Sequence, residues 1–229
     1  TLRILQAYSE QRGGSSQASG TIVCAGTGSG KTLSFYLPGL ASIAADLLLN
    51  PSPRVRILAI YPRNELLKDQ FMEAWGQCRK LDGLMQSGGG RKIRIGALYG
   101  DTPYNWGMAG KDYKTGKQKT EFDLLRCTTD SCTGQMEWNY NLKEVKCSRC
   151  GHRVTDDEVA LTRSCQTDLP PDILFTTTEM LNRRLGDFSC NHLFGVGQQA
   201  GPMLVLLDEV HTYGGSSGAQ VAYLLRRWM

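Results

Sequence analysis

Ala25-Gly26-Thr27-Gly28-Ser29-Gly30-Lys31-Thr32 constrains this chain more than any other stretch. Residues 21–25 form a short apolar run of strand character, and an apolar stretch follows from Leu33. Strand, glycine loop and helix is the setting of a phosphate-binding loop. Glycines let backbone N–H groups close on phosphate oxygens with no Cβ in the way. A helix opening near Gly30 adds the positive end of its dipole. Thr27, Gly28, Ser29 and Gly30 would line the cradle, Lys31 would reach the β- and γ-phosphates, and Thr32 would offer its hydroxyl to Mg²⁺. A generic glycine loop is the plainer alternative, and the Gly-Lys-Thr ending argues against it. Alanine at the first position departs from the strict glycine form, but the backbone cradle does not depend on that residue.

Far downstream, residues 202–207 make a continuous apolar run, as expected of a buried parallel strand. Asp208-Glu209-Val210-His211 follows at its C-terminal end, where open α/β sheets bind ligands. Asp208 would hold Mg²⁺ and Glu209 would orient and deprotonate an attacking water. Alone, such an acidic pair reads equally well as a turn at a strand end. Beside a phosphate loop it reads as the second half of an ATP-hydrolysing site.

At 229 residues the chain has room for one sizeable domain, or a domain plus a small insert. Hydrophobic content of 41% supports a true core, and a net charge of +4 is too mild to prove nucleic-acid binding. No segment passes for a transmembrane helix: residues 33–49 contain Pro38 and Asp46 and fit the helix after the loop. No signal peptide is visible and the first residue is not Met, so the expectation is a piece of a longer cytoplasmic protein.

Of the eight cysteines, Cys127, Cys132, Cys147 and Cys150 form C-x4-C-x14-C-x2-C. Cys147-Ser148-Arg149-Cys150-Gly151 has the form of a zinc knuckle, and four thiolates suit tetrahedral Zn²⁺. Disulfides are the rival, disfavoured in a reducing cytosol. His152 stands nearby as a substitute ligand. The other four cysteines read as buried or free thiols.

The remaining pattern alternates strands with helices. Helices are expected over 2–11, from just after Pro62 through Leu81, over 179–185 and over 219–229, and strands over 55–61, 93–99 and 172–175. This gives an α/β fold, a parallel sheet with helices on both faces. Residues 104–168 break the rhythm. They are polar, carry the four zinc cysteines and read as an inserted module, dividing the lobe into 1–103 and 169–229. Lys111, Lys114, Lys117 and Lys119 cluster at its start, either as a solvated loop or as phosphate contacts.

Five segments then fall into an ordered series: the glycine loop, Tyr61-Pro62-Arg63-Asn64-Glu65, Tyr99-Gly100-Asp101-Thr102, Thr176-Thr177-Thr178-Glu179 and Asp208-Glu209-Val210-His211. The series resembles motifs I, Ia, Ib, Ic and II of superfamily 2 DEAD/DEAH-like helicases. Its finer spelling looks most like the YprA/MrfA-type DNA helicases, relatives of which occur in DNA repair and in phage-defence systems such as DISARM, Druantia and Dpd. The resemblance implies a first RecA-like lobe using ATP, Mg²⁺ and, through the insert, Zn²⁺. It implies that Gln6 reads adenine, although the surrounding match is loose, and that His211 couples the ATP site to a second lobe. It implies that Pro62, Arg63, Gly100, Asp101, Thr102 and Thr177 lie along a strand-binding face that holds phosphates without reading sequence. The second RecA-like lobe and its arginine finger do not appear in the chain, so weak turnover alone is expected.

Two rivals remain open at this stage. One is an RNA-directed helicase of the same superfamily, which backbone-directed motifs do not separate from a DNA enzyme. The other is a zinc-bearing interaction subunit whose ATP site acts as a switch within a defence complex, bound to protein partners and to no membrane.

Overall fold

A computed structural model of the protein describes residues 20, 22, 31–111, 116, 119–198 and 200–228, with the backbone alone for residues 31–35. Gln6, the first expected helix, the expected strand at 21–25 apart from Ile22, and loop residues Thr27, Gly28, Ser29 and Gly30 lie outside the described residues.

Helix α1 spans Lys31–Leu49. Its Tyr36, Leu40, Ile43 and Leu47 are buried, the i, i+4, i+7, i+11 stripe that one helix face presents to a core. Gly39 lets this face approach closely: a Cβ there would meet the Ile57 side chain at 2.7 Å and that of Leu204 at 3.3 Å. Strand β1, Ile57–Tyr61, is buried at every position, as a strand covered on both faces must be. Helix α2, Asn64–Ser87, buries Leu67, Phe71, Ala74, Trp75, Cys78 and Met85 on the same stripe pattern. The apolar spacing carries on past Leu81 to Met85, so this helix runs on beyond the stretch expected from the sequence until Gly88.

Strand β2 is Ile95–Leu98 and strand β8 is Ile173–Thr177; β9, Leu204–Leu207, leads into the acidic motif. With β7, Val159–Ala160, they form a five-stranded sheet in the order β7-β2-β8-β1-β9. Every pairing in it is parallel. Alternate residues feed two cores. Ile57, Ala59 and Tyr61 join Phe175 and the buried faces of α1 and α2. Leu58, Ile60 and Leu174 join Met180 and Leu181 of the short helix α4, Thr178–Arg184, together with Leu224 of α5, Gly215–Trp228. This is the α/β sheet with helices on both faces that the sequence implies.

The insert contains a second sheet, antiparallel, built from β3 (Glu121–Arg126), β4 (Gln135–Asn139), β5 (Glu144–Cys147) and β6 (Arg153–Val154) in sequence order. Its Phe122, Leu124, Met136, Val145 and Val154 belong to the same buried cluster as Phe71, Trp75, Ile93 and Ile95. The module is therefore seated on α2 and not held out on a stalk. The chain then re-enters the main sheet earlier than the 104–168 segment implies. Val159 pairs with Ile95 and Ala160 with Gly96, and helix α3, Arg163–Asp168, packs beside them. A two-residue edge strand has too few positions to show a period. Parallel neighbours need a crossover, usually a helix, and between β2 and β7 the antiparallel module fills that place.

The edge where the strands begin is tied by charge. Arg56 and Asp172 are fully buried and 2.7 Å apart, and Arg91 meets Asp172 through two bonds of 2.6 and 2.8 Å. The Arg94 amide adds a fourth donor to the same carboxylate at 2.9 Å, and Asp46 closes on Arg56 at 2.7 Å.

Candidate functional site

The four described motifs come together where the parallel strands end. Tyr61 is the register partner of Thr177, Leu98 of Thr176, and Ile60 of Leu207. Along that edge the order is thus the Gly100 loop after β2, Thr177 on β8, Pro62 after β1 and Asp208 after β9. Candidate strand-binding residues occupy one stretch of the edge and the acidic motif the other.

The acidic end has a defined geometry. Asp208 follows Leu207 with its amide directed to the Ile60 carbonyl at 3.3 Å. Leu204, Leu206 and Asp208 alternate onto the face shared by Ile57, Ala59 and Tyr61, the face covered by α1. Tyr36 on α1 and Tyr61 on β1 share a buried hydrogen bond with their hydroxyl oxygens 2.5 Å apart. Burial pushes both phenols well above their ordinary range, and the charge of Asp208 adds to the shift in each case. Tyr213 is pushed up to about 12 by burial and by the same carboxylate. Asp208 thus stands close to Tyr36, Tyr61 and Tyr213.

Asp208 also accepts the Glu209 amide on Oδ1 at 2.8 Å. Glu209 adopts a left-handed backbone, φ 50° and ψ 40°, and opens a short 3₁₀ turn over Val210–Thr212. Its carboxylate lies 3.1 Å from Nε2 of His211, and its carbonyl accepts the Thr212 hydroxyl at 2.8 Å. Lys31 and Thr32 stand in the first turn of α1.

At the other end of the edge, Gly100 and Asp101 are exposed, Pro62 is half-buried and Arg63 is exposed just ahead of α2. Lys68 approaches Asp101 at 3.9 Å and lies over the Tyr99 ring, 5.7 Å from its centre. Thr102 and Thr177 are buried and already engaged. The Thr102 hydroxyl donates to the Ala97 carbonyl at 2.7 Å and accepts the Tyr99 amide at 3.0 Å. Thr177 caps α4 by accepting the Met180 amide at 3.2 Å. These two hydroxyls shape the edge loops, and the exposed groups beside them face outward. Arg163 braces the same loop, donating to the Tyr99 and Gly100 carbonyls at 3.3 and 3.2 Å.

In the insert, the sulfurs of Cys127, Cys132, Cys147 and Cys150 all lie within 4.8 Å of one another. Cys127 and Cys150 are 3.4 Å apart and Cys132 and Cys147 are 3.7 Å apart. A tetrahedral zinc with Zn–S bonds of about 2.3 Å separates its sulfurs by about 3.8 Å, so the donor set fits the metal. The amides of Gly134 and Arg149 point at Cys132 and Cys147. Gly134 is required by this closeness, since a Cβ there would lie 2.5 Å from the Cys147 sulfur. Backbone amides of Cys150 and Arg149 hold the Cys147 thiol below its ordinary range. Hydrogen bonds from Thr129 and the His152 amide bring Cys150 to about 6. Thiolates are the form that binds metal. His152 lies outside the four-sulfur cluster, with its Nε2 3.4 Å from the Thr129 neighbour Thr128.

Sequence reasoning missed the tyrosine pair, Arg163 and the buried arginine–aspartate ties. One signal was available for the ties: Arg56, Arg94 and Asp172 each stand directly before an apolar strand, where a lone charge has to find a partner.

A parallel sheet with an acidic strand end, a helix rising beside it and exposed loops along one edge defines a RecA-like nucleotide-handling lobe. Residues 14–147 match the DEAD/DEAH box helicase family, more than half of the chain, and the chain belongs to that family, an ATP-hydrolysing class. It is 25% identical over 257 residues to Druantia protein DruE of Escherichia coli (strain UMEA 4076-1), covering 92% of this chain and 14% of that protein. It is 37% identical over 79 residues to the ATP-dependent RNA helicase DBP2 of Vanderwaltozyma polyspora, covering 34% of this chain and 16% of that protein. The chain therefore spans less than a fifth of the length of either curated relative. No solved structure matches it. Among the described residues no helix is long and apolar enough to cross a membrane.

Proposed function

We propose that the chain is the ATP-binding lobe of an ATP-driven DNA translocase or helicase, working in phage defence. The observation that carries this is the shared edge. The acidic motif after β9 sits on the strand end next to Pro62 after β1, and the Gly100 loop after β2 lies two strands farther along the same sheet. A change at the acidic motif can be passed to the Pro62 loop through one strand pairing and to the Gly100 loop through three.

Asp208 and Thr32 would hold Mg²⁺ and Lys31 would bind the phosphates; a carboxylate at the end of β9 is the oxygen donor that a hard cation takes. Bound Mg²⁺ supplies charge neutralisation at the triphosphate. Glu209 would take the proton of the attacking water, and His211 beside it would report the state of the site to a second lobe. Pro62, Arg63, Gly100 and Asp101 would face the nucleic-acid backbone, with Thr102 and Thr177 setting the shape of their loops. Cys127, Cys132, Cys147 and Cys150 would hold Zn²⁺ in a closed, structural site.

The similarity to a Druantia protein over most of the chain supports the defence branch and, through the resemblance described above, DNA. The similarity to an RNA helicase over a shorter stretch favours RNA as the second reading. ATP hydrolysis with and without single-stranded DNA, with Glu209→Gln as control, tests the engine. Turnover should be weak without a second lobe and should vanish in the variant. Strong turnover by the isolated chain, or turnover that survives Glu209→Gln, overturns the reading. Competition between single-stranded DNA and RNA of matched length separates the two substrates.

A further inference from the structure

Tyr36 lies four residues after Thr32, one turn along α1, so the two positions share a helix face. Tyr61 lies beside Asp208, one step beyond the Ile60–Leu207 register pair and on the same face of the sheet. The 2.5 Å hydroxyl contact between Tyr36 and Tyr61 therefore joins the helix that carries Thr32 to the strand next to Asp208. We infer that this hydroxyl pair is a positioning device that sets the spacing between Thr32 and Asp208, the two residues proposed to hold Mg²⁺; the inference rests on that reading of the ATP site.

Packing alone does not account for the hydroxyls. The Tyr61 ring is stacked on Phe175 at 6.0 Å and 6°, a contact that phenylalanine would keep. Tyr36 also faces Phe175, at 6.1 Å. A buried polar pair replaced on both sides by apolar groups of the same shape is close to neutral for stability. What phenylalanine removes is the tie between α1 and β1 at one height above the sheet. Without it, the first turns of α1 are free to shift relative to β1 and β9. Phosphates held by Lys31 and the loop that leads into α1 would travel with that helix, whereas a cation held also by Asp208 after β9 feels the shift. Neither tyrosine is placed in contact with nucleotide, so both act through Thr32 and Asp208.

The test is the affinity of the chain for a fluorescent ATP analogue, measured once in Mg²⁺ and once in EDTA. The variants are Tyr36→Phe, Tyr61→Phe and the double substitution, each checked by thermal unfolding. In the parent, Mg²⁺ should tighten binding. In each single variant that gain should shrink about fivefold, the effect of one lost hydrogen bond, with the EDTA affinity unchanged. The double variant should lose no more than either single one, because both break the same bond. If one variant fails to fold, the other breaks the bond from the opposite side. An unchanged Mg²⁺ gain in folded variants overturns the inference and leaves the site reading intact. So does an equal loss in Mg²⁺ and EDTA, which marks a purely structural pair. A parent that binds no tighter in Mg²⁺ than in EDTA sinks the site reading, and the inference with it.

Discussion

The carboxylate of Glu209 lies 3.1 Å from Nε2 of His211 while the Glu209 backbone is held left-handed at φ 50°. Both side chains reach solvent, so the pair contributes at most about 1 kcal/mol. A left-handed residue with a Cβ costs about 1–2 kcal/mol. The proposed base is thus held in an unfavourable backbone state by more than its own ion pair, as strained functional residues are.

Two substitutions separate strain from chemistry at this position. Glu209→Gly and Glu209→Ala both remove the carboxylate, and neither should hydrolyse ATP. Only glycine accepts the left-handed backbone freely, so the glycine variant should be more stable by about 1 kcal/mol. Urea denaturation of the two proteins makes the comparison. Equal stabilities would mean that the turn relaxes when the side chain goes.

Asp172 carries the opposite edge of the sheet. It is fully buried and bonded to Arg56, Arg91 and the Arg94 amide. Asp172→Ala takes from the fully buried Arg56 one of its two carboxylate partners, leaves Asp46, and should cost about 3 kcal/mol. Asp101→Ala, at an exposed carboxylate, should stay within about 0.5 kcal/mol of the parent. Denaturant midpoints decide this, and a loss below about 1 kcal/mol for Asp172→Ala would show that water reaches the site.

The insert should carry one zinc per chain, and Cys147→Ser or Cys150→Ser should abolish stable binding. Because β3 shares a buried cluster with α2 and β2, metal removal should lower the unfolding temperature of the whole lobe in one transition. Calorimetry with and without chelator reads this directly. Two separate transitions would mean that the module folds by itself. Zinc uptake should weaken as pH falls, because each thiolate that gains a proton is a ligand lost.

Asp187 accepts from the Ser189 hydroxyl at 2.7 Å, from Arg184 at 2.5 Å and from the Ser189 amide at 3.1 Å, which lowers its pKa to about 2. A depressed carboxylate adds stability above its unfolded pKa near 4 and loses it as pH falls through the folded value. Asp187→Asn should therefore cost stability at pH 7, and the gap from the parent should close between pH 4 and 2. Solvent access keeps the effect below about 1 kcal/mol. A carboxylate NMR titration gives the midpoint itself.

The parallel sheet was legible because its strands are short apolar runs split by amphipathic helices. The acidic motif was legible because Asp208 and Glu209 directly follow such a run. The four-cysteine cluster was legible from spacing alone. The edge strand Val159–Ala160 was not, since two residues carry no period. The resemblance places Thr102 and Thr177 along a strand-binding face, yet a threonine beside a turn often bonds its own backbone, and sequence does not show which way it points. The Tyr36–Tyr61 contact joins residues far apart in sequence through the packing of α1 on β1, and no local pattern encodes it.

The crossover between β2 and β7 puts the metal module in a chain of mechanical custody. Cys147 and Cys150 fix the far end of the module, β7 closes the sheet, α3 follows at once, and Arg163 at its start grips the Gly100 loop. If the four cysteines hold zinc as proposed, whatever loosens it slackens that grip. Oxidants or chelators striking far from the ATP site would then blunt the handling of a nucleic-acid strand before they touched the nucleotide.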